Sequence, residues 1–263
     1  MAEVYETDQR PRRRRGRGLL IVVLVLLLLL FGGLMLADRF GRSFAEGVIA
    51  DKVTEQVRAQ KASSDTPEVD IDGFPFVTQV LSGEYQEIRI QLPHLTAPID
   101  PERKAALDLL DIHAQNVRAP LDALRSGQGD ITVETVTATG IIDYDQLIKL
   151  IGQKGVQLSA KDGKLVGSAR MTALGRQFNV SGTAKLTVVN GGIRVRFADV
   201  KAADLPNVPF IQNAVDSYAE KMALDLPAPK LPLKLKVQAV TPEESGLKVT
   251  FGASDVNLSS GGL

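Results

Sequence analysis

The sequence of 263 residues contains no cysteine, no tryptophan and only two histidines, His94 and His113. Without cysteine, the chain cannot form a disulfide framework, a thiolate metal site, a catalytic thiol or a lipid-modified cysteine anchor. Two histidines also leave few groups for proton transfer near neutral pH. These absences exclude thiol chemistry and weigh against an enzyme built on histidine.

Common catalytic motifs are missing as well. The chain has no Gly-x-Ser-x-Gly elbow, no phosphate-binding glycine loop and no His-Glu-x-x-His pair. Asp108, Asp111 and His113 are the best candidates for a metal site, because Asp111 and His113 share one face of a strand. We favour the simpler interpretation, which is the polar, solvent-facing side of that strand.

Two aspartate pairs have structural interpretations. Asp70 and Asp72 lead into a glycine and fit turn chemistry, whereas Asp143 and Asp145 fit the start of a helix. We therefore predict no catalytic residue, no metal ligand and no cofactor. The sequence favours a binding protein over an enzyme.

Charge is balanced overall but unevenly placed. Basic and acidic residues number 31 each, yet the first 36 residues hold six arginines against three acidic residues. The rest of the chain therefore carries a weak negative charge. This argues against nucleic acid as a partner, because binding to phosphates needs a surplus of basic residues.

An uncharged apolar segment follows the arginine cluster directly. Residues 19–36 are mostly Leu, Val and Ile, and a helix of that length spans about 27 Å, enough for the hydrocarbon core of a bilayer. Arginines keep their own side of such a helix in the cytoplasm. We predict a cytoplasmic basic tail at 1–18, a transmembrane anchor or signal segment at 19–36 and an extracytoplasmic domain at 40–263.

Two other interpretations of the N-terminus compete with an uncleaved anchor. A cleavable signal peptide would release the domain, although Leu-Met-Leu-Ala at 34–37 is a poor cleavage site. A basic patch for nucleic acid is the other. The predicted location is the cytoplasmic membrane, single pass with the N-terminus inside and the domain in the periplasm or cell-wall space, or secreted after cleavage.

The stretch 73–85 reads Gly-Phe-Pro-Phe-Val-Thr-Gln-Val-Leu-Ser-Gly-Glu-Tyr. It is the most distinctive motif of the predicted extracytoplasmic domain. Gly73 permits backbone angles that other residues resist, and Pro75 suits the first turn of a helix. Helical spacing predicts one apolar face on a short helix, formed by Val77, Val80 and Leu81. Such a helix either plugs a core or lines a ligand groove.

Apolar periodicity predicts the elements around that stretch. Helices are expected at 40–61, at 144–152 with Asp143 as the cap, and at 207–224. Strands are expected at 85–92, at 131–140 and at 106–117, where a strand is preferred over a helix. The chain should close with a hairpin that turns at 243–246 and points Leu235, Val237 and Ala239 inward.

The clearest β region is a long antiparallel meander over 156–200, with hairpin turns at Asp162-Gly163 and Asn190-Gly191. Alternation assigns one apolar face and one wet face to its strands, with Arg194 and Arg196 facing water. The apolar face is rich in small residues, among them Gly167, Ala169, Ala173, Gly182 and Ala184. Either a helix packs closely against this face, or the face leaves space for an acyl chain.

Two segments carry a family resemblance. The sequence resembles the LmeA-like phospholipid-binding family of actinobacterial cell-envelope proteins over about residues 42–260. The resemblance lies in Val69-Asp-Ile-Asp-Gly-Phe-Pro-Phe-Val-Thr-Gln-Val-Leu-Ser-Gly-Glu-Tyr85 and Asn116-Val-Arg-Ala-Pro-Leu-Asp-Ala-Leu-Arg-Ser-Gly127. The closing segment 247–256 is also similar to the end of that family.

The resemblance implies an α+β fold in which a strongly curved antiparallel sheet wraps around amphipathic helices, as in tubular lipid-binding domains. It also implies phospholipid binding and a role in maintaining envelope lipids or lipoglycans. Envelope biosynthesis proteins are further candidate partners, beside the lipid and the cytoplasmic membrane. The expected lipid-binding residues are the large apolar side chains of the helices and sheets: Phe74, Phe76, Val80, Leu81, Met171, Phe178, Phe197, Phe210, Ile211, Val215, Met222 and Phe251.

Two other functions remain open at this stage. The same apolar faces could close into a solid core, which would make the protein a non-enzymatic scaffold that recruits an envelope enzyme. A lipid-modifying enzyme is the third reading, and it would depend on His94 and His113.

Overall fold

The computed structural model describes residues 15–98, 103–126, 129–152, 155–173, 176–202, 217, 219–220, 223–226 and 235–257. Within these ranges the chain forms four helices and eleven strands. Most of the helix predicted at 207–224 lies outside them. The elements are α1 (Arg15–Ala59), β1 (Glu68–Asp72), α2 (Phe76–Ser82), β2 (Glu84–Pro98), β3 (Lys104–Arg118), α3 (Leu121–Ser126), β4 (Thr132–Asp143), α4 (Tyr144–Ile151), β5 (Gln157–Lys161), β6 (Lys164–Ala173), β7 (Arg176–Val189), β8 (Gly192–Ala202), β9 (Leu224–Leu226), β10 (Lys236–Glu243) and β11 (Gly246–Asn257).

The first helix is longer than either of the two segments predicted from the sequence. The apolar run and the amphipathic segment after it form one continuous helix of 45 residues, about 68 Å long. No glycine or proline interrupts 37–40, so nothing at the junction breaks the backbone hydrogen bonds. The part of α1 whose side chains are described, Leu24–Ala59, has a mean hydropathy of 1.9 over its most apolar window, and it is long and apolar enough to cross a membrane.

Six strands form the first sheet, in the order β1-β2-β3-β4-β11-β10, and every pairing is antiparallel. The strand prediction for 106–117 is therefore confirmed. The strand predicted at 85–92 is too short, because β2 continues through Pro93, which pairs with Leu109, to Pro98. Proline lacks only the N–H, and its carbonyl still accepts a hydrogen bond from the backbone N–H of Asp65 at 3.0 Å.

Apolar residues lie side by side across this sheet because of its register. Ile90 pairs with Ile112, Ile112 with Ala138, and Ala138 with Phe251. Alternation alone does not describe the whole face, since Ala114 and Val117 are both buried although they are three residues apart. Between them Asn116 adopts φ 53°, and this left-handed residue turns the following side chains back toward the core.

The second sheet contains the predicted meander, in the order β5-β6-β7-β8-β9. Both predicted turns are confirmed. Asp162 and Gly163 have φ values of 51° and 69°, and Asn190 and Gly191 have 52° and 76°, as a type I′ hairpin turn requires at its two central residues.

Register in the second sheet places the predicted apolar residues opposite one another: Leu165 with Ala184, Gly167 with Gly182, Ala169 with Val180, Ala184 with Phe197 and Leu186 with Val195. On the other face, Arg194 and Arg196 are not simply solvated. Both bind Asp225 of β9, at 3.1 Å and 2.6 Å. These ion pairs hold β9 against β8.

The space beside Gly167 is filled by an aromatic ring. A Cβ atom added at Gly167 would overlap the Phe197 ring, which extends from β8 across β7. Phe197 is buried, and the small side chains of β7 beneath its path leave room for it. At Gly167 the missing side chain therefore accommodates Phe197, and not a tightly packed helix.

One local prediction is wrong, and another is confirmed only in part. Ala239 is exposed and Val240 turns toward the core instead, because a β-bulge between Val237 and Ala239 shifts the alternation of β10 by one residue. Asp143 occupies the N-cap position of α4, but its side chain makes no capping hydrogen bond. Its burial and the nearby Asp108 and Asp145 carboxylates raise the pKa of Asp143.

One hydrophobic core runs through both sheets. It includes Ile71, Phe76 and Ile112 from the first half of the chain and Leu165, Val195 and Phe197 from the second sheet. Strand β10 contacts β5, β6, β7 and β8, so the edge of the first sheet packs on the second. Because the described residues form mostly antiparallel sheets together with some helix, the predicted α+β class is confirmed.

We expect Gly167→Ala to lower the free energy of unfolding by about 1–3 kcal/mol, because the added methyl group overpacks the Phe197 ring. The double variant Gly167→Ala/Phe197→Leu should recover part of that loss, which denaturation of the full chain in detergent would measure as a coupling between the two sites.

Gly47→Ala is the matched control. Gly47 lies in a helix with nothing within 4 Å of an added Cβ, so this change should stabilise by about 0.5–1 kcal/mol. If Gly167→Ala were as harmless as the control, the ring would not constrain this position.

Candidate functional site

The site begins with a compact unit at residues 73–83, here called the Phe-Pro-Phe unit. Gly73 has φ 101°, and the Phe74–Pro75 peptide bond is cis. Helix α2 follows and ends at Gly83, whose φ of 69° lets its N–H bond the carbonyl of Gln79 at 2.8 Å. The predicted short helix between two glycines is thus confirmed.

The N-terminus of α2 has no cap of its own, since Pro75 occupies the N-cap position and makes no side-chain cap. The buried carboxylate of Asp38 on α1 supplies one instead, accepting a hydrogen bond from the Val77 N–H at 2.9 Å. A carboxylate at this position satisfies an otherwise free N–H and complements the helix dipole. The cap therefore comes from a residue 39 positions away.

Two further side chains of α1 extend this contact. Arg42 donates from Nη2 to the Gly73 carbonyl at 2.5 Å, and the Glu46 carboxylate accepts from the Ile71 N–H at 3.1 Å. Ile71 belongs to β1, which is an edge strand of the first sheet. Helix α1 thus satisfies a backbone N–H that an uncovered sheet edge would leave free.

Inside the unit, a buried glutamine holds the loop together. Gln79 donates from Nε2 to the Asp72 carbonyl at 3.2 Å and accepts at Oε1 from the Gln86 N–H at 3.0 Å. A Cβ on Gly73 would lie 2.8 Å from Gln79 Nε2, so this position also needs glycine for space. Gln79 is a residue that the sequence analysis missed, because a polar side chain gives no apolar signal.

The buried face of α2 differs from the predicted one. Phe76 and Gln79 are buried, whereas Val77 and Val80 are half-buried and Leu81 is exposed. Phe76 packs against Tyr85, with ring centroids 6.4 Å apart, and a Cβ on Gly41 of α1 would be 3.5 Å from its ring. The prediction that Val77, Val80 and Leu81 form the buried face was wrong. A two-turn helix that contacts α1 on one side and the sheet on another has no single inward face.

The two segments that carry the family resemblance meet in space. The Ala119 N–H donates to the Gly83 carbonyl at 2.8 Å, and a Cβ on Gly83 would lie 2.9 Å from Pro120 Cα. Glu84 then pairs with Arg118 at the start of β2. The Phe-Pro-Phe unit is therefore enclosed by α1 on one side and by the β3–α3 connection on the other.

The structure distributes the other predicted lipid-binding residues over both sheets. Phe197 and Phe251 are buried and Phe178 is half-buried, while Met171 pairs with Phe178 in the register of β6 and β7. Phe76, Phe197 and Phe251 belong to the same core, against which Val80 packs. Phe74 and Leu81 are exposed and do not join this core. Four predicted residues lie outside the described ranges, namely Phe210, Ile211, Val215 and Met222.

A cavity of about 390 Å³ opens where the β7–β8 turn approaches the start of β10. Among the described residues it is lined by Asn190, Gly191, Leu235 and Lys236, none of which the sequence analysis assigned to a binding site. Its volume lies within the range of small-molecule pockets. Gly191 and Lys236 are far apart in the sequence, so nothing in the sequence indicates that they share a cavity. They come together only because β10 packs beside the second sheet.

Two of the three candidate metal ligands, Asp111 and His113, belong to an ion-pair cluster on the opposite face of the first sheet, whereas Asp108 is exposed and lies near Asp143. Arg89 binds Asp111 through both ends of its guanidinium, at 2.9 Å and 2.6 Å, and this pairing lowers the pKa of Asp111. His113 contacts the Glu87 carboxylate at 2.5 Å through Nδ1 and lies 3.4 Å from Asp111 through Nε2. Among the described residues no group of three acidic or histidine side chains is arranged to hold a metal ion.

His94 has a similar structural role. Its Nδ1 lies 2.8 Å from a carboxylate oxygen of Asp65, at an exposed position. His94 also has φ 47°, a left-handed backbone conformation within β2. Each histidine thus has a carboxylate partner, and the two lie on different parts of the sheet.

Comparison with known families gives one match. The model of a family described as LmeA-like phospholipid-binding matches residues 36–252. No curated protein and no solved structure matches the chain. The matched range begins at the end of the apolar run and contains the Phe-Pro-Phe unit and both sheets up to the middle of β11.

We expect Asp38→Ala to loosen α2, because the Val77 N–H loses its acceptor at a cost of about 0.5–2 kcal/mol. Hydrogen exchange in the full chain should accelerate in residues 74–83 and stay unchanged in β4. Asp38→Asn keeps an acceptor oxygen and should lose less protection than alanine. Equal exchange in all three proteins would show that the Asp38 contact does not hold α2.

We expect Arg89→Gln to reduce stability above about pH 4 and to have progressively less effect in stronger acid. The folded-state pKa of Asp111 lies below its ordinary value because of Arg89, so their interaction stabilises the fold above the unfolded-state pKa and is lost as pH falls through the folded one. Unfolding at a series of pH values would measure this. A difference from wild type that did not shrink in acid would place the stabilisation elsewhere.

Proposed function

Because the chain belongs to the LmeA-like phospholipid-binding family, we propose that its domain at 40–263 holds a phospholipid, or a glycosylated relative, in an apolar groove outside the cytoplasmic membrane. The family match carries this proposal, since it spans both sheets and the Phe-Pro-Phe unit. It also points to a binding protein, and not to an enzyme. The proposed role is to shield or present the lipid for maintenance of envelope lipids or lipoglycans.

Physical support comes from the continuous apolar face of the sheets. Side chains from all six strands of the first sheet and from β6, β7 and β8 of the second belong to one core or pack against it. Each methylene that leaves water for such a surface contributes roughly 0.8 kcal/mol. A groove holding part of an acyl chain therefore binds lipid without many polar contacts.

We further propose that the sheets curve around helices, as in tubular lipid-binding domains. Strands two apart in a flat sheet are separated by about 9.5 Å, yet the Phe197 ring on β8 closely approaches Gly167 on β6. The left-handed residues Asn116 in β3 and Asp255 in β11, with φ values of 53° and 49°, are further points of bending. Curvature would turn the apolar faces of both sheets toward a common interior.

In this proposal the acyl chain contacts the second sheet at its half-buried positions. Phe178 is the best candidate among the described residues, because it is predicted from the sequence and is only partly covered. Met171 beside it, and Phe210, Ile211, Val215 and Met222 of the predicted helix, would line the same groove. Phe76, Phe197 and Phe251, with Val80 at their border, would form its floor, while Phe74 and Leu81 would stand at its rim.

Helix α1 is the proposed membrane anchor. Residues Leu24 to Leu36 are all exposed, and the uncharged apolar run at 19–36 is about 27 Å long, enough for the hydrocarbon core of a bilayer. The arginines before it favour a cytoplasmic N-terminus, which places both sheets on the outer side. We propose single-pass anchoring in the cytoplasmic membrane.

One observation favours the alternative of a scaffold with a solid core. Phe197 fills the space beside Gly167 that could otherwise accept an acyl chain. If the remaining small residues of this face are filled in the same way, the domain would recruit an envelope biosynthesis protein and hold no lipid. The two functions predict different contacts for a lipid tail.

A phospholipid with a photoreactive acyl chain distinguishes them when the full chain is reconstituted in nanodiscs. We expect cross-links in β6, β7 and β8 as well as in the apolar part of α1, and mass spectrometry of the peptides locates each one. Phe178→Asn should reduce the cross-links in the strands several-fold, because it places an amide in the groove.

Val189→Asn is the control, since Val189 lies in the same strand and is exposed. It should leave the cross-links unchanged. Cross-links confined to α1 in the wild-type protein would contradict the groove and support the scaffold.

A further inference from the structure

Several large apolar side chains are exposed just beyond the apolar part of α1. Phe40 is 73% exposed, Phe74 59% and Leu81 78%. Phe40 lies on α1 itself, whereas the other two belong to the Phe-Pro-Phe unit. Side chains of this size rarely remain in water as a group without a partner surface.

Hydrogen bonds fix the level of the Phe-Pro-Phe unit along α1. Asp38, which binds the Val77 N–H, lies only two residues beyond Leu36, the last residue of the apolar run. Arg42, one turn later, binds Gly73. At 1.5 Å per residue, these contacts lie about 3–9 Å beyond the end of the run.

Later contacts show which end of the sheet faces the apolar run. Glu46 binds Ile71 in β1, and beyond the end of α1 Ser63 pairs with Thr96 near the end of β2. The contacts therefore move steadily away from the Phe-Pro-Phe unit as the chain leaves the apolar run. Helix α2 is at the near end of the first sheet, beside the Glu84–Arg118 pair, whereas the Pro93–Leu109 pair lies nine residues further along these strands, toward the far end.

The polar headgroup layer of a bilayer is about 5–7 Å thick on each side of the hydrocarbon core. A unit held 3–9 Å beyond the apolar run lies at this level when α1 spans the membrane. We propose that the outer headgroup layer covers Phe40, Phe74 and Leu81, so that the Phe-Pro-Phe unit is a membrane-docking surface. The occupant is the bilayer that holds α1, because the apolar run continues directly into this surface.

This proposal rests on the proposed function, because it requires α1 to be the membrane anchor. It adds a route by which the phospholipid enters the groove. Docking places the rim of the apolar groove against the leaflet from which a phospholipid would enter. It also explains why Asp38 is buried at the junction, since its bond to Val77 keeps α2 pressed toward the membrane.

Because the chain has no tryptophan, single substitutions provide local reporters. Phe74→Trp and Leu81→Trp would be made separately in the full chain and reconstituted into phosphatidylcholine–phosphatidylglycerol vesicles, with or without bromine on the acyl chains. We expect emission at shorter wavelength than for tryptophan in water, and loss of intensity in the brominated vesicles.

Leu109→Trp is the matched control, since Leu109 is an exposed apolar residue nine positions along β3 from Arg118, which pairs with Glu84 beside α2. It should emit as in water and keep its intensity. Phe31→Trp, within the apolar run, should be quenched most strongly. If Phe31→Trp is quenched while Phe74→Trp and Leu81→Trp behave like Leu109→Trp, the docking surface is overturned and the anchor stands.

Quenching by a lipid held inside the groove must be separated from quenching by the bilayer. The reporters are therefore repeated with Phe178→Asn, which should reduce the strand cross-links several-fold. Persistent quenching of Phe74→Trp and Leu81→Trp supports contact with the bilayer. Quenching that disappears together with the cross-links would assign both side chains to the groove and overturn docking.

Discussion

The hydrogen bond from the Val77 N–H to the Asp38 carboxylate connects α1, just beyond its apolar run, to α2 and the first sheet. A helix that starts after a proline has free N–H groups, and an edge strand has others. Asp38 and Glu46 accept from one of each, at Val77 and Ile71. Since α1 provides these acceptors, its direction and level determine where α2 lies, and α2 in turn positions Phe76 against the core.

The apolar faces of the sheets serve both packing and the proposed lipid binding. Small residues leave space on these faces, and that space is filled either by another side chain or by a lipid. At Gly167 it is filled by a side chain, the Phe197 ring. Phe178 differs, since it lies on the same face but is only half-buried. A groove and a solid core can therefore occur on one sheet, and membership of a phospholipid-binding family favours the groove.

Local chemistry made several elements predictable from the sequence. Asp162-Gly163 and Asn190-Gly191 form the expected turns because few residues tolerate positive φ at both central positions. The apolar alternation of β6 to β8 also matches the register. Prediction failed at Ala239, where a bulge shifts the alternation, and at α2, where burial comes from two directions. The role of Gln79 gave no signal, since a polar side chain becomes informative only when its partners are known. The Asn190-Gly191 turn was predicted, but the cavity beside it was not, because it forms only where β10 approaches the second sheet.

By itself, the sequence determined the apolar run, the antiparallel α+β class, the hairpin turns and the family, because each depends on residues close together in the chain or on a motif read in order. Only the tertiary structure decided that Asp38 caps α2, that Arg89 forms an ion pair with Asp111, and that the Phe197 ring lies over Gly167. These contacts join residues that are 39, 22 and 30 positions apart. The physical reason is that a hydrogen bond or a filled space depends on both partners, and the fold alone brings such distant partners together.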